Sequence, residues 1–94
     1  MPKRYVLIMS DSELSDSDRM DLAVVLESRY GKATVIPVDG NCRAVIVKTT
    51  GRSAPLIRRD CEQLRVGGAH LTTVLSSGSI GKLKSRALGS DAQA

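Results

Sequence analysis

Three short stretches of the chain are apolar on both faces of a β-strand, and this pattern limits the possible folds more than any other feature. They are residues 4–9, 43–49 and 70–75. A strand with one face in water alternates apolar and polar side chains, because successive side chains point to opposite faces. In the first stretch, Tyr5 and Leu7 instead alternate with residues that are equally apolar. We therefore expect a sheet that is covered on both faces.

The first helix is predicted between the first strand and Gly31. Ser15 and Ser17 are both candidate N-caps, and Asp18 stands three residues after Ser15, as in a capping box. An apolar-rich segment follows and ends at Gly31, because glycine is a common helix terminator. Residues 32–38 then predict a strand in which Pro37, having no backbone N–H to donate to a neighbouring strand, indicates either an edge position or a bulge.

A hairpin turn and a second helix are predicted in the middle of the chain. The turn falls at residues 39–41, where Gly and Asn tolerate the positive φ that such turns require. Ser53 and Pro55 are typical of a helix N-terminus, and Gly67-Gly68 is expected to end the helix. Apolar residues recur along it at helical spacing: Ile57, Cys61 and Leu64.

The order of elements, βαββαβ, predicts an α+β sandwich. Its expected form is a four-stranded antiparallel sheet with two helices on one face, as in ferredoxin-like folds. A short C-terminal helix is predicted from residue 79 to residue 88, and residues 89–94 are expected to form a disordered tail. Residues 1–88 are therefore predicted to form a single domain.

The face of the sheet without helices is expected to bind another protein. A closing helix of about ten residues is too short to cover a whole sheet. We expect the interface to use apolar residues of the first and third strands: Tyr5, Leu7, Val45 and Val47.

The charge is uneven along the chain and indicates a polyanionic partner. Residues 1–39 hold five Lys and Arg against seven Asp and Glu, whereas residues 40–94 hold nine against three. The chain has no Phe or Trp, and its only aromatic residues are Tyr5 and Tyr30. RNA-recognition domains stack bases on two or three rings, so contact with the phosphate backbone is expected here instead.

The closing helix offers the first candidate site for phosphate. Small residues precede it and cations follow, and the predicted RNA contacts are Ser77, Gly78, Ser79, Lys82, Lys84 and Arg86. A Walker phosphate loop is excluded, because it requires Gly where Ser76 stands and Ser or Thr where Leu83 stands. A solvated helix with cations on its exposed face explains the same pattern equally well.

The second predicted helix offers further cations: Arg52, Arg58 and Arg59. Arg52 follows a glycine at the start of the helix, where an anion site and an ordinary N-cap have the same sequence. Arg58 and Arg59 either contact an RNA backbone or pair with neighbouring acids such as Asp60 and Glu62. Both alternatives stay open.

No catalytic or metal-binding pattern is found in the sequence. Cys42 and Cys61 lack metal-ligand spacing and are predicted to be reduced core thiols. His70 has no second histidine or recognisable relay. The sequence shows no signal peptide and no membrane-spanning run, which predicts a soluble, cytoplasmic chain.

Four segments of the chain together resemble a known family. They are RYVLI at residues 4–8, YGKA at 30–33, AVIVK at 44–48 and SGSIGKLK at 77–84. They resemble the ribonuclease P protein subunit family that contains eukaryotic Pop-five and archaeal protein component two. The resemblance covers residues 4–88, and its sharpest part is Ser77 to Ile80 followed by Lys82 and Lys84.

The resemblance implies an RNA-recognition-like (RRM-like) fold and a non-catalytic role. Members pair with a larger, barrel-shaped protein subunit, and two such pairs assemble on the ribonuclease P RNA. That RNA uses Mg²⁺ to remove the 5′ leader of precursor tRNA, so this chain is expected to bind no cofactor itself.

Two alternatives remain from other functional classes. The first is a ferredoxin-like regulatory domain that forms homodimers and binds a metabolite through Asp39, Asn41 and Arg52. The second is a small enzyme of the acylphosphatase type, for which the sequence offers no glycine-rich loop with the required Arg and Asn.

Overall fold

A five-stranded antiparallel sheet forms the centre of the protein, which a computed structural model describes over residues 3–88. The elements are β1 (Lys3–Ser10), α1 (Asp16–Tyr30), β2 (Thr34–Val38), β3 (Asn41–Thr50), α2 (Ala54–Asp60), β4 (Arg65–Val66), β5 (Ala69–Ser77) and α3 (Ile80–Ala87). The strand order is β2-β3-β1-β5-β4. The predicted α+β class is confirmed, but the sheet has five strands rather than four. The predicted tail, residues 89–94, lies outside the described residues.

The fifth strand was missed because Gly67-Gly68 has a different role from the one predicted. Helix α2 ends at Asp60 and a single 3₁₀ turn follows, so the predicted helix is shorter than expected. Both glycines then adopt positive φ, 59° and 82°, as a two-residue hairpin turn requires. Arg65 and Val66 consequently form a strand that pairs with the start of β5.

The start of α1 follows the prediction. The Ser15 side chain accepts a hydrogen bond from the Asp18 backbone N–H, and the Asp18 carboxylate accepts one from the Ser15 N–H. This capping box satisfies backbone donors that a helix N-terminus would otherwise leave unpaired. At the other end of α1, Gly31 has a φ of 83°, a conformation that residues with a side chain rarely adopt.

The two faces of the sheet build two separate clusters of buried side chains. Val6 pairs with Val47 and Ile8 with Val45, and all four lie under α1 and α2. Leu7 pairs with Ile46 on the opposite face, where α3 covers them. A sheet with both faces covered was predicted and is confirmed for these positions.

The predicted partner interface on the sheet is wrong for three of its four residues. Val45 and Val47 are fully buried, and they lie on the face that carries α1 and α2. Leu7 is 1% exposed because Leu83 and Ala87 of α3 cover that part of the other face. Only Tyr5, at the margin of this second cluster, stays partly exposed. The protein's own third helix therefore takes the place that we expected a partner to occupy.

Strands β2 and β5, the outer two of the four longer strands, are both irregular. Strand β2 contains Pro37, and its register with β3 shifts beside that residue. Strand β5 is irregular where it passes Leu7 and Ile8 of β1. Prolines and bulges oppose the addition of a further strand at a sheet edge. Within residues 3–88, no helix is long and apolar enough to cross a membrane.

Candidate nucleic-acid interface

One end of the sheet collects positive charge from segments that themselves contain no acid. Because the strands are antiparallel, the start of β1 and the ends of β3 and β5 meet there, together with the start of β2. Segments 3–5, 30–34 and 48–53 form this region, which we name the cationic end, and segment 76–79 borders it. The cationic end contains no Asp or Glu. Its cations are Lys3, Arg4, Lys32, Lys48 and Arg52.

The opposite end of the sheet carries charges of both signs. The segments after β1 and between β2 and β3 hold Asp11, Glu13 and Asp39, while Arg43 on β3, Arg65 on β4 and Arg86 in the last turn of α3 are the cations nearby. Acidic residues are thus present at this end and absent from the segments of the cationic end. The sequence had assigned the cations to the C-terminal half, but the fold brings residues of both halves to one end.

A concave pocket of about 510 Å³ lies within the cationic end. Its lining consists of three lysines and three threonines: Lys3, Lys32, Thr34, Lys48, Thr49 and Thr50. We name it the lysine pocket. In the strand register, Lys48 lies between Thr34 and Tyr5, while Lys3 lies opposite Thr50. Lys3 and Lys48 are thus diagonal neighbours on one face, a separation that long side chains bridge.

Buried hydroxyl groups fix the backbone around the lysine pocket. The Thr49 hydroxyl donates a hydrogen bond of 3.1 Å to the Lys32 carbonyl oxygen, which joins β3 to the segment after α1. The Ser53 hydroxyl donates to the Tyr30 carbonyl oxygen, also at 3.1 Å, and the Ser53 N–H donates to the Thr50 hydroxyl. The segment after α1 is therefore held against the end of β3, and β3 is held against β1 by the strand ladder.

The predicted phosphate-contacting segment, residues 77–79, borders the cationic end. Ser77 lies directly opposite Tyr5 of β1. The Arg4 guanidinium donates a hydrogen bond of 3.3 Å to the Ser76 hydroxyl, and a β-carbon placed on Gly78 would lie 3.7 Å from Arg4 Nη1. The fold thus adds Arg4 and the pocket lysines to the predicted segment. Sequence reasoning missed them because they come from three segments that are far apart along the chain.

The predicted cations of α3 do not converge on one point. Lys82, Lys84 and Arg86 are all exposed, because Leu83 and Ala87 form the face of α3 that packs on the sheet. The helix starts beside the cationic end and runs along the sheet. Its last turn lies near the β2–β3 hairpin, where the side-chain amide of Asn41 donates to the Ala87 carbonyl oxygen at 2.8 Å.

The predicted cations of α2 have different surroundings. Arg52 belongs to the cationic end, whereas Arg59 forms an ion pair with Asp60, with Nε 2.8 Å from Oδ1. The Asp60 carboxylate also accepts a hydrogen bond of 2.7 Å from the Tyr30 hydroxyl. Arg59 and the Tyr30 hydroxyl hold the pKa of Asp60 at about 2. Burial and the Asp60 contact raise the pKa of Tyr30. Arg59 therefore belongs to a structural cluster, and Arg58 is exposed.

The remaining polar candidates show no catalytic arrangement in the part of the chain that the structure describes. Cys61 is buried and burial raises the pKa of its thiol to about 11, which disfavours the reactive thiolate. Cys42 is exposed, so the prediction that both cysteines are core thiols is wrong for this one. The exposed His70 lies beside Asp11, whose carboxylate accepts the His70 backbone N–H. No cluster of His, Cys, Asp or Glu suitable for a metal ion occurs in residues 3–88.

An exposed apolar patch lies on α1, away from the cationic end. Met20 is 70% exposed and Val24 is 66% exposed, one helical turn apart. Beside them, a hollow of about 330 Å³ runs between α1 and β2 and is lined in part by Ala23, Val35 and Pro37. We name these five residues the α1 patch. Acidic residues of α1 adjoin it: Asp16, Asp21 and Glu27.

No protein-family model matches the chain, and no curated protein matches it significantly.

Proposed function

We propose that this chain binds structured RNA through its cationic end and acts as a non-catalytic protein subunit of ribonuclease P. The observation that carries the proposal is the group of five cations at one end of the sheet with no acid among them. The segments of this surface carry no negative charge, and the phosphates of an RNA backbone supply negative charge in a regular array. The segment with the sharpest family resemblance, residues 77–79, borders the same surface.

Contact with phosphates suits this surface better than the reading of bases. Tyr5 is the only ring at the cationic end that lies on the sheet, and it is partly covered. A domain that reads single-stranded RNA stacks two or three bases on such rings. Lysine and arginine side chains on a rigid sheet instead recognise the shape and backbone of folded RNA.

The strand order supports the assignment of a ferredoxin-like or RRM-like fold. The four longer strands lie in the order β2-β3-β1-β5, with α1 and α2 together on one face, as expected of a ferredoxin-like or RRM-like domain. In the proposed complex the RNA carries out the cleavage with Mg²⁺, and this chain stabilises the RNA in the cytoplasm.

The α1 patch is the surface that we assign to the larger protein subunit. Contiguous exposed apolar residues are typical of protein interfaces. Asp16 is paired with Arg19, which also lines the hollow, but the adjoining Asp21 and Glu27 oppose RNA and favour a partner surface that is apolar with a basic margin. This assignment replaces the predicted interface on the sheet.

Reconstituted cleavage of precursor tRNA tests the proposal. The cognate RNA and the larger protein subunit are combined at limiting Mg²⁺, with and without this chain, and the cleavage rate is measured. We expect the chain to raise the rate, and Met20→Lys with Val24→Lys to abolish the increase by preventing association with the protein subunit. Leu56→Lys, at an exposed position on α2, is the control for introducing a lysine on a helix. A rate that is unaffected by the chain contradicts the proposal.

In the metabolite-binding alternative, the three residues predicted to bind a metabolite lie at opposite ends of the sheet. Asp39 and Asn41 lie at the β2–β3 hairpin, whereas Arg52 follows the far end of the ten-residue strand β3. A ten-residue strand spans about 33 Å, so these three side chains do not share a small ligand. An anionic ligand in the lysine pocket is the form of this alternative that the geometry still favours.

A further inference from the structure

We propose that the lysine pocket binds the phosphorylated end of an RNA strand, a phosphomonoester, in preference to a phosphodiester within the strand. The inference deepens the proposed function and rests on it for the identity of the polymer. The shared chemistry, a terminal phosphate, also occurs in free nucleotides, so the experiment includes both sources.

The lysine pocket concentrates positive charge in a concave site. Lys3, Lys32 and Lys48 come from three separate segments and line one pocket with no carboxylate in its lining. Within residues 3–88, no ion pair engages any of their ammonium groups. A phosphomonoester carries a charge of about −1.5 to −2 at neutral pH, whereas an internal phosphodiester carries only one negative charge. Three converging cations therefore favour the terminal group.

Hydrogen-bond donors are also numerous in the lysine pocket. A phosphomonoester has three acceptor oxygens that are free of ester bonds. Each lysine offers three N–H donors, and the exposed Thr34 hydroxyl adds another at the pocket wall. The Thr49 hydroxyl is excluded from this set, because it is buried and donates to the Lys32 carbonyl oxygen. A terminal phosphate uses more of these donors than an internal phosphate does.

The size of the pocket suits a phosphate group with its nucleoside. The volume of about 510 Å³ lies in the range of small-ligand pockets, which is about 300–1,000 Å³. Tyr5 lies opposite Lys48 across the strand ladder, so a partly exposed ring stands next to one of the pocket lysines.

The experiment compares two oligonucleotides with the same number of phosphates. One is a six-nucleotide single-stranded RNA with a 5′-phosphate, and the other is a seven-nucleotide RNA with a 5′-hydroxyl. Binding to the full chain is measured by isothermal titration calorimetry, and the perturbed residues are mapped from NMR amide shifts. We expect the phosphorylated strand to bind about tenfold more tightly, because its terminal phosphate carries more negative charge than an internal phosphate and offers the lysines a third oxygen that is free of ester bonds. Perturbed amides should cluster at residues 3–5, 32–34 and 48–50.

Two double variants identify the pocket as the source of this preference. The pocket variant, Lys3→Gln with Lys48→Gln, should bind both oligonucleotides equally. The control variant, Arg43→Gln with Arg65→Gln, removes the same charge from exposed positions outside the cationic end and should keep the tenfold preference. NMR spectra that retain the wild-type dispersion establish that each variant is folded.

The outcomes separate this inference from the proposed function. One outcome is that the wild-type chain binds both oligonucleotides with equal affinity and the pocket variant binds neither. This result would overturn the terminal-phosphate inference and leave RNA binding intact. If neither oligonucleotide nor folded RNA binds, the proposed function fails as well. Adenosine monophosphate and inorganic phosphate form the last arm of the test. If adenosine monophosphate binds as tightly as the phosphorylated strand, the pocket recognises a terminal phosphate, and its ligand is a free nucleotide.

Discussion

The salt dependence of RNA binding tests the cationic end most directly. Each phosphate that a protein neutralises releases condensed counterions, so the logarithm of the affinity falls linearly with the logarithm of the salt concentration. Lys3 and Lys48 are diagonal neighbours on one sheet face at this end. The pocket variant, Lys3→Gln with Lys48→Gln, removes both charges and keeps polar side chains at the two positions. We expect it to bind folded RNA more weakly and with a smaller salt slope.

The size of the change follows from the number of phosphates that the variant no longer neutralises. Each neutralised phosphate contributes about 0.7–0.9 to the slope, so two of them contribute about 1.5. Over a fourfold change in salt, from about 50 to about 200 mM, this corresponds to roughly an eightfold change in the ratio of wild-type to variant affinity. The difference between the two proteins is therefore largest in dilute salt.

Filter binding or fluorescence anisotropy with the ribonuclease P RNA measures both slopes over the same salt series. The control variant, Arg43→Gln with Arg65→Gln, lowers the net charge equally and should keep the wild-type slope. If the slope falls equally in the two variants, binding depends on total charge and the cationic end has no special role. An unchanged slope in the pocket variant would refute the assignment of phosphate contacts to these lysines.

Three further predictions concern the stability of the fold and the segment beside the cationic end. Leu83→Ala should lower the free energy of unfolding in urea by about 2–4 kcal/mol, because Leu83 is fully buried, whereas Leu88→Ala at a half-exposed position should cost much less. Arg59 holds the pKa of Asp60 at about 2, below its ordinary 3.8, so Asp60 stabilises the fold above pH 4. That contribution should disappear as the pH falls from about 4 to about 2, and Asp60→Asn should flatten the dependence of the melting temperature on pH over this interval. Gly78→Ala should leave the melting temperature within a degree or two, since the new methyl group meets only ordinary contacts, but it should weaken RNA binding if RNA approaches this backbone closely. Unchanged RNA affinity would place the contact elsewhere.

Local features of the fold could be predicted from the sequence because each depends on neighbouring residues. The capping box of Ser15 and Asp18 and the end of α1 at Gly31 appear in the structure as expected. Gly67-Gly68 fits both a helix end and a hairpin turn. The pairing of Val66 with Ala69 decides between them, and the strand Arg65–Val66 forms only where it also packs on the rest of the sheet and core.

Neighbouring residues did not show which face of the sheet each strand side chain occupies. A strand that is apolar on both sides shows that both faces are covered, but its sequence does not say which helix covers which face. Val45 and Val47 were therefore assigned to an open face, although their register with β1 places them under α1 and α2. The amphipathic pattern of α3 was visible, but its docking over Leu7 was not.

The lysine pocket escaped sequence reasoning for a related reason. Its three lysines are far apart along the chain, and although Lys32 and Lys48 lie in the segments YGKA and AVIVK, neither was predicted to contact RNA. Their common position arises from the antiparallel register of β1 and β3 and from the hydrogen bond between the Thr49 hydroxyl and the Lys32 carbonyl oxygen. Charge counted over halves of the chain indicated the kind of partner but not the surface.

The strand lysines of the cationic end lie opposite neutral side chains. Two helix cations, by comparison, have local acidic partners: Arg19 pairs with Asp16, and Arg59 pairs with Asp60. Opposite Lys3 and Lys48, by contrast, the ladder places Thr50 and Thr34. A glutamate at either position would give a cross-strand ion pair that contributes about 0.2–1 kcal/mol. If the lysine pocket binds an anion, as we propose, an acid at position 34 or 50 would compete with that ligand for the lysines, so Thr34→Glu should weaken RNA binding without destabilising the fold.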